Sequence, residues 1–129
     1  MNNTKSGPKK ILVIDDEEDC LKLARTRLEA SGYKVLTLES GDRAVQLAKA
    51  EKPDLILLDI VMPGRNGYEV CRELKADEAT RGIPIVLLAA QYPEEEYVRI
   101  NSGVIGADDY ILKPFEAQQL LAKIKLLIE

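Results

Sequence analysis

Histidine is absent from all 129 residues of this chain. The commonest general base and metal ligand is therefore missing, which excludes a Ser-His-Asp catalytic site and a typical zinc site. Any chemistry must rest on carboxylates and lysine, with or without a bound hard cation. Cysteine is nearly as scarce. Cys20 and Cys71 lie far apart and match no metal-ligand spacing; two free thiols on helices are the favoured reading and a disulfide the alternative. Basic charge is not in excess either. With 18 Lys and Arg against 22 Asp and Glu the net charge is −4, so there is no basic face to neutralise phosphates and no direct nucleic-acid partner is expected. No apolar run is long enough to span a bilayer and no signal-peptide pattern is present. No membrane association is expected, and a cytoplasmic location follows as the default.

What is present describes one ordinary globular domain, 46% hydrophobic and 31% charged. A chain of this length buries about two-thirds of its unfolded surface. Residues 1–8 are polar and read as a flexible N-terminal tail, and residues 9–129 as the domain.

Five short apolar runs alternate with helical patterns. Ile11 to Ile14 is β-branched and ends in Asp15-Asp16-Glu17-Glu18-Asp19, where Asp16 or Glu17 can cap a helix. Leu21, Ala24 and Leu28 give that helix its apolar stripe, and Ser31-Gly32 stops it. Tyr33 to Leu38 is a less apolar strand, expected nearer an edge. Ser40 is a candidate cap for a helix with Ala44, Leu47 and Ala48 on one face, closed by Lys52-Pro53.

Leu55 to Leu58 runs straight into Asp59, with Pro63-Gly64 and Asn66-Gly67 soon after. A short apolar run bounded by breakers is the pattern of a strand buried on both faces. Asn66 and Glu69 have capping-box spacing ahead of Val70 and Leu74. A fourth strand follows over residues 83–88, with Pro84 near its start. A weakly periodic helix is expected over about residues 94–102, before Gly103 and Gly106. Asp109 to Leu112 forms the fifth strand, and a helical stripe of Leu120, Leu121, Ile124, Leu127 and Ile128 ends the chain.

Strands alternating with helices through short connections require parallel strands and right-handed crossovers, with helices on both faces. The expected fold class is α/β, a doubly wound three-layer α/β/α sandwich on a five-stranded parallel sheet. Parallel strands bring their carboxyl ends to one edge, where ligands collect in such sheets. Asp15 and Asp16, Asp59, Ala89 and Lys113 should therefore meet there. Three carboxylates about 4 Å apart repel by about 4 kcal/mol per pair at an effective dielectric near 20. They need a proton, a cation or separation, and a hard divalent ion with oxygen ligands suits them. Between such an ion and the Lys113 ammonium a phosphoryl group could be bound and attacked by a carboxylate. Each acidic residue taken singly is equally a cap or turn residue, and Lys113 a solvated loop lysine.

Taken together, Ile11-Leu-Val-Ile-Asp15-Asp16-Glu17, Leu57-Leu-Asp59-Ile-Val-Met-Pro-Gly64 with Gly67, and Gly106-Ala-Asp-Asp-Tyr110-Ile-Leu-Lys113-Pro114-Phe115 resemble a receiver domain of a two-component response regulator of the chemotaxis-regulator type. The resemblance spans about Lys10 to Glu129. It implies a flavodoxin-like fold with strand order 2-1-3-4-5. It also implies that Asp59 accepts a phosphoryl group and that Asp16, Asp59 and the backbone carbonyl of Val61 bind Mg²⁺, with Asp15 acting mainly through water. Lys113 would pair with the phosphoryl group, and its bond to Pro114 would be cis. The donor would be a histidine on a sensor histidine kinase or phosphotransfer protein, which fits a chain with no histidine. The signal would pass through the fourth helix, fifth strand and fifth helix, with Tyr110 at the switch position, to a downstream effector protein or domain. Such a protein catalyses its own phosphotransfer and dephosphorylation rather than turning over a substrate.

Two departures stand out. The family places Ser or Thr at the end of the fourth strand, and this chain has Ala89. A hydrogen bond to a charged group contributes about 1.5–3 kcal/mol, so the expectation is an acceptor that takes phosphate but shifts conformation weakly. Val61 and Gln91 flank the path of attacking water; valine cannot orient it, so slow self-dephosphorylation is expected. A haloacid-dehalogenase-type phosphatase would need an Asp at position 61, and an FMN carrier would need a glycine- and hydroxyl-rich loop where Asp15-Asp16-Glu17 stand. The stronger alternative is a degenerate receiver serving as a phosphorylation-independent interaction module.

Overall fold

The computed structural model describes residues 7–62, 66–90 and 106–129. The tail through residue 6, the Pro63-Gly64 turn, Gln91, the helix expected over residues 94–102 and Gly103 lie outside the described residues. The elements are β1 (Lys10–Ile14), α1 (Glu18–Ala30), β2 (Lys34–Leu38), α2 (Ala44–Glu51), β3 (Leu55–Asp59), α3 (Gly67–Ala76), β4 (Ile85–Ala90), β5 (Asp109–Lys113) and α4 (Ala117–Ile128). All neighbouring strands pair in parallel, in the order β2-β1-β3-β4-β5. The doubly wound sandwich expected from the alternation is therefore the fold.

The period-two character of strands divides the core in two. Leu12, Ile14, Ile56, Leu58, Ile85, Leu87 and Ala89 face one way and pack with Ala44 and Ala48 of α2 and Val70, Cys71 and Leu74 of α3. Ile11, Val13, Leu55, Leu57, Val86, Leu88 and Ile111 face the other way, against Leu21, Ala24 and Leu28 of α1 and Leu120 and Ile124 of α4. Because helices cover both faces, β3 is buried at all five positions. Its four apolar side chains each contribute about 1.5–3 kcal/mol through burial. The less apolar β2 is an edge strand, as its composition suggested.

Local signals were obeyed unevenly. The Asn66–Glu69 capping box forms, with Glu69 N–H donating to Asn66 Oδ1 at 3.0 Å and Asn66 N–H to Glu69 Oε1 at 3.3 Å. Lys52, at φ 49°, closes α2 in the left-handed region. Ser40 does not cap α2, which begins at Ala44 after Arg43 and has no side-chain cap. Glu17 precedes α1 without capping it either. Pro84 lies just outside β4, where its carbonyl accepts from Ile56 N–H at 2.9 Å, so no ladder donor is lost. β4 and β5 each run one or more residues past expectation, to Ala90 and Lys113. Cys20 and Cys71 are both free thiols.

Candidate functional site

Strand register decides which side chains meet at the carboxyl edge. Ile14 pairs with Leu58, Asp59 with Leu88, and Ala90 with Lys113. Asp15, one residue past β1, and Asp59 at the end of β3 thus lie side by side, and Lys113 reaches in from β5. Asp15 is fully buried and Asp59 is 5% exposed, whereas Asp16 lies at the surface. Carboxylate oxygens of Asp15, Asp16 and Asp59 all lie within 4.8 Å of one another. Every charged residue that the parallel topology was expected to gather is there.

Lys113 Nζ donates to Asp15 Oδ2 at 2.8 Å and to Glu17 Oε1 at 3.0 Å, and stands 3.5 Å from Asp59 Oδ2. Its tightest partner is therefore Asp15 rather than Asp59. Asp15 Oδ1 also accepts the Glu17 N–H at 2.9 Å, closing the turn that leads into α1. Glu17 is a cleft residue and partner of Lys113 to which sequence reasoning gave no place in the site. Its only signal was its place in an acidic run, which reads equally as a complement to the helix dipole. Val61 N–H approaches Asp59 Oδ1 at 3.4 Å, and the Val61 side chain is largely exposed at the cleft mouth. Asp16, Glu17, Asp59, Val61 and Lys113 line that cleft.

The electrostatics follow from burial and proximity. Burial, reinforced by the negative charge of Asp15, pushes the Asp59 carboxyl up to about 7 against the pull of Lys113. For Lys113 burial alone would favour the neutral amine, but the hydrogen bonds to Asp15 and Glu17 and the charge of Asp59 outweigh it and hold the ammonium charged. The Lys113 hydrogen bond holds Glu17 below the usual carboxylate range. Burial pushes the neighbouring Cys20 thiol up to about 11, so it is no thiolate nucleophile at neutral pH.

The backbone approaches itself closely just after Asp59. Gly67 N–H donates to Ile60 O at 2.6 Å, and a Cβ on Gly67 would lie 2.7 Å from Ile60 Cα. Only glycine permits α3 to start there. The Lys113–Pro114 bond is cis, as the motif led one to expect. Ala89 is buried beside Leu112 in the ladder, so the fourth strand brings no hydroxyl to the cleft at that position.

An acidic, partly desolvated pocket with one ammonium is suited to binding a hard cation and a phosphoryl group together. No helix among the described residues is long and apolar enough to cross a membrane. Residues 11–125 match the family profile of the response regulator receiver domain. The chain is 42% identical over 120 residues, 93% of its length, to the alkaline phosphatase synthesis transcriptional regulatory protein PhoP of Bacillus subtilis, covering 48% of that protein. It is likewise 42% identical over 120 residues to the phosphate regulon transcriptional regulatory protein PhoB of Pseudomonas aeruginosa, covering 93% of this chain and 52% of that one. The chain thus spans about half the length of the curated relatives it matches. Among solved structures, the receiver domain of the sensor histidine kinase PA1611 from Pseudomonas aeruginosa superposes with a TM-score of 0.84 at 30% identity, over 95% of this chain and 98% of that one; its magnesium ion is coordinated in the active-site cleft. The motifs, the strand order and these likenesses agree, and the chain belongs to the response regulator receiver domain family of two-component signalling.

Proposed function

We propose that this receiver accepts a phosphoryl group on Asp59 from a phosphohistidine of a sensor kinase or phosphotransfer protein, and relays that event to an effector. The observation that carries the reading is the pairing of a buried Asp59 with Lys113 at 3.5 Å inside a cleft whose other lining residues are Asp16, Glu17 and Val61. In the transfer an Asp59 carboxylate oxygen attacks phosphorus and the P–N bond breaks. The electron pair stays on the departing imidazole nitrogen, and Asp59 becomes an acyl phosphate. The Lys113 ammonium, held over the cleft by Asp15, neutralises the incoming phosphoryl oxygens.

The donor set fits Mg²⁺: it is all hard oxygen, and crowding of like charge is already felt by Asp59. Asp16, Asp59 and the Val61 carbonyl would hold the ion, with Asp15, whose oxygens are engaged by Glu17 N–H and Lys113, acting mainly through water. Bound there, the cation would offset the charge that builds on the phosphoryl oxygens. Asp15 meanwhile orients Lys113, and the burial of Asp59 restricts water around its carboxylate.

Tyr110, half-buried against the α2–α3 side of the sheet, would carry the response towards an effector surface. Ala89 favours a second reading, a receiver that docks partners without phosphorylation. Mass spectrometry after incubation with acetyl phosphate and Mg²⁺ separates the two: an added phosphoryl group at Asp59, absent in Asp59→Asn, is expected. A wild-type protein that remains unmodified would overturn phosphoacceptance and leave the interaction module.

A further inference from the structure

A lysine ammonium has three N–H donors. In this cleft two of them are already hydrogen-bonded to Asp15 and Glu17, and Asp59 lies 3.5 Å away. A phosphoryl oxygen arriving on Asp59 can take the third N–H directly, but a second contact to Lys113 requires one of the two bound carboxylates to give way. The two competitors are unequal. Asp15 is fully buried and also bound to Glu17 N–H, so it cannot move without unmaking the turn. The Glu17 side chain is 61% exposed and can swing into solvent. It also has another partner at hand, since Cys20 Sγ donates to the same Glu17 Oε1 at 3.5 Å.

Resting on the phosphoacceptor reading above, we propose that Glu17 is a displaceable latch on Lys113: its carboxylate occupies one N–H of the ammonium before phosphorylation and competes with the phosphoryl group for it. Glu17 is then a positioning residue that acts through Lys113 and sets how readily the site accepts phosphate. One Nζ–H···Oε1 contact is exchanged for one Nζ–H···O–P contact. The swung-out carboxylate lies within reach of solvent, and its charge opposes the incoming group for as long as it lingers.

The test compares wild type with Glu17→Gln, which keeps shape and removes charge, and Glu17→Asp, which keeps charge on a shorter arm. Two quantities are read in the presence of Mg²⁺: the rate of Asp59 phosphorylation by acetyl phosphate, and the apparent affinity for beryllofluoride. Glu17→Gln is expected to raise both by about two- to fivefold at low salt, the range of a partly exposed ion pair. The gain should shrink as ionic strength rises, because screening weakens the competitor it removes. Glu17→Asp should lie nearer wild type. A purely structural role for Glu17 would give a loss that salt does not alter, and that result, or no change in Glu17→Gln, overturns the latch. If wild type itself acquires no phosphoryl group and no beryllofluoride, it is the phosphoacceptor reading that fails; a modified wild type with an unresponsive Glu17→Gln sinks the latch alone.

Discussion

Gly67 and Ile60 are joined backbone to backbone just beyond Asp59, by a 2.6 Å hydrogen bond from the Gly67 amide to the Ile60 carbonyl. This contact anchors the first residue of α3 to the residue that follows Asp59. A methyl group on Gly67 would press on the Ile60 Cα from 2.7 Å, and backbone cannot swing aside as a flexible side chain can.

Gly67→Ala should therefore destabilise the domain by about 1–3 kcal/mol, the usual cost of overpacking. It should also slow phosphorylation of Asp59 by more than the loss of folded protein explains. Urea unfolding together with acetyl phosphate kinetics checks both; unaltered kinetics in a fully folded variant would mean that the contact does not position Asp59.

Asp59 imposes a pH-dependent cost on the metal-free fold. Its carboxyl is raised from an ordinary 3.8 to about 7, so the folded state binds this proton more tightly than the unfolded chain. Its stabilising share is fully present below the unfolded value and is lost as pH rises through the folded value. Asp59→Asn removes the titration. Without divalent cations, the variant should gain stability over wild type progressively from about pH 4 to 7. At pH 8 the gain should be on the order of 1–3 kcal/mol after solvent screening of the cleft. Denaturant curves of both proteins at pH 5 and pH 8 would show the gap open; an equal gap at both values contradicts the assignment.

Ala89 leaves the phosphoryl group without a hydroxyl donor from β4. Ala89→Ser, the smallest change that supplies one at a buried position, should increase the conformational response to beryllofluoride by about one factor of ten. Phosphorylation of Asp59 itself should change little. Amide exchange over β5 with and without beryllofluoride is the readout, and identical responses in the two proteins would show that the hydroxyl is not limiting.

Val61 is exposed at the cleft mouth and offers no polar atom on its side chain. Val61→Asn, able to orient an attacking water, should shorten the lifetime of the acyl phosphate on the order of tenfold. The wild-type phosphoprotein should decay slowly with Mg²⁺ and no phosphatase. A half-life of seconds in wild type would contradict a passive Val61.

The sequence by itself determined the alternation of strands and helices, and with it the parallel sheet. Apolar residues repeat with periods of two and 3.6, and those periods are properties of neighbours in the chain. The same locality made the Asn66–Glu69 box and the Lys52 stop legible, and the run into Asp59 marked a strand end. It also misled at Ser40, where a good cap residue lies too far before Ala44 to be used. Strand order came from the likeness of motifs, because alternation alone does not rank strands across a sheet. What only the tertiary structure decided is the wiring of charge. Lys113 meets Asp15 across 98 residues and Glu17 across 96, and the Asp59 carboxyl is raised by burial and by Asp15, which lies just past the end of β1. Electrostatic energies depend on distance and on exclusion of water, and neither exists until strands far apart in sequence are laid side by side.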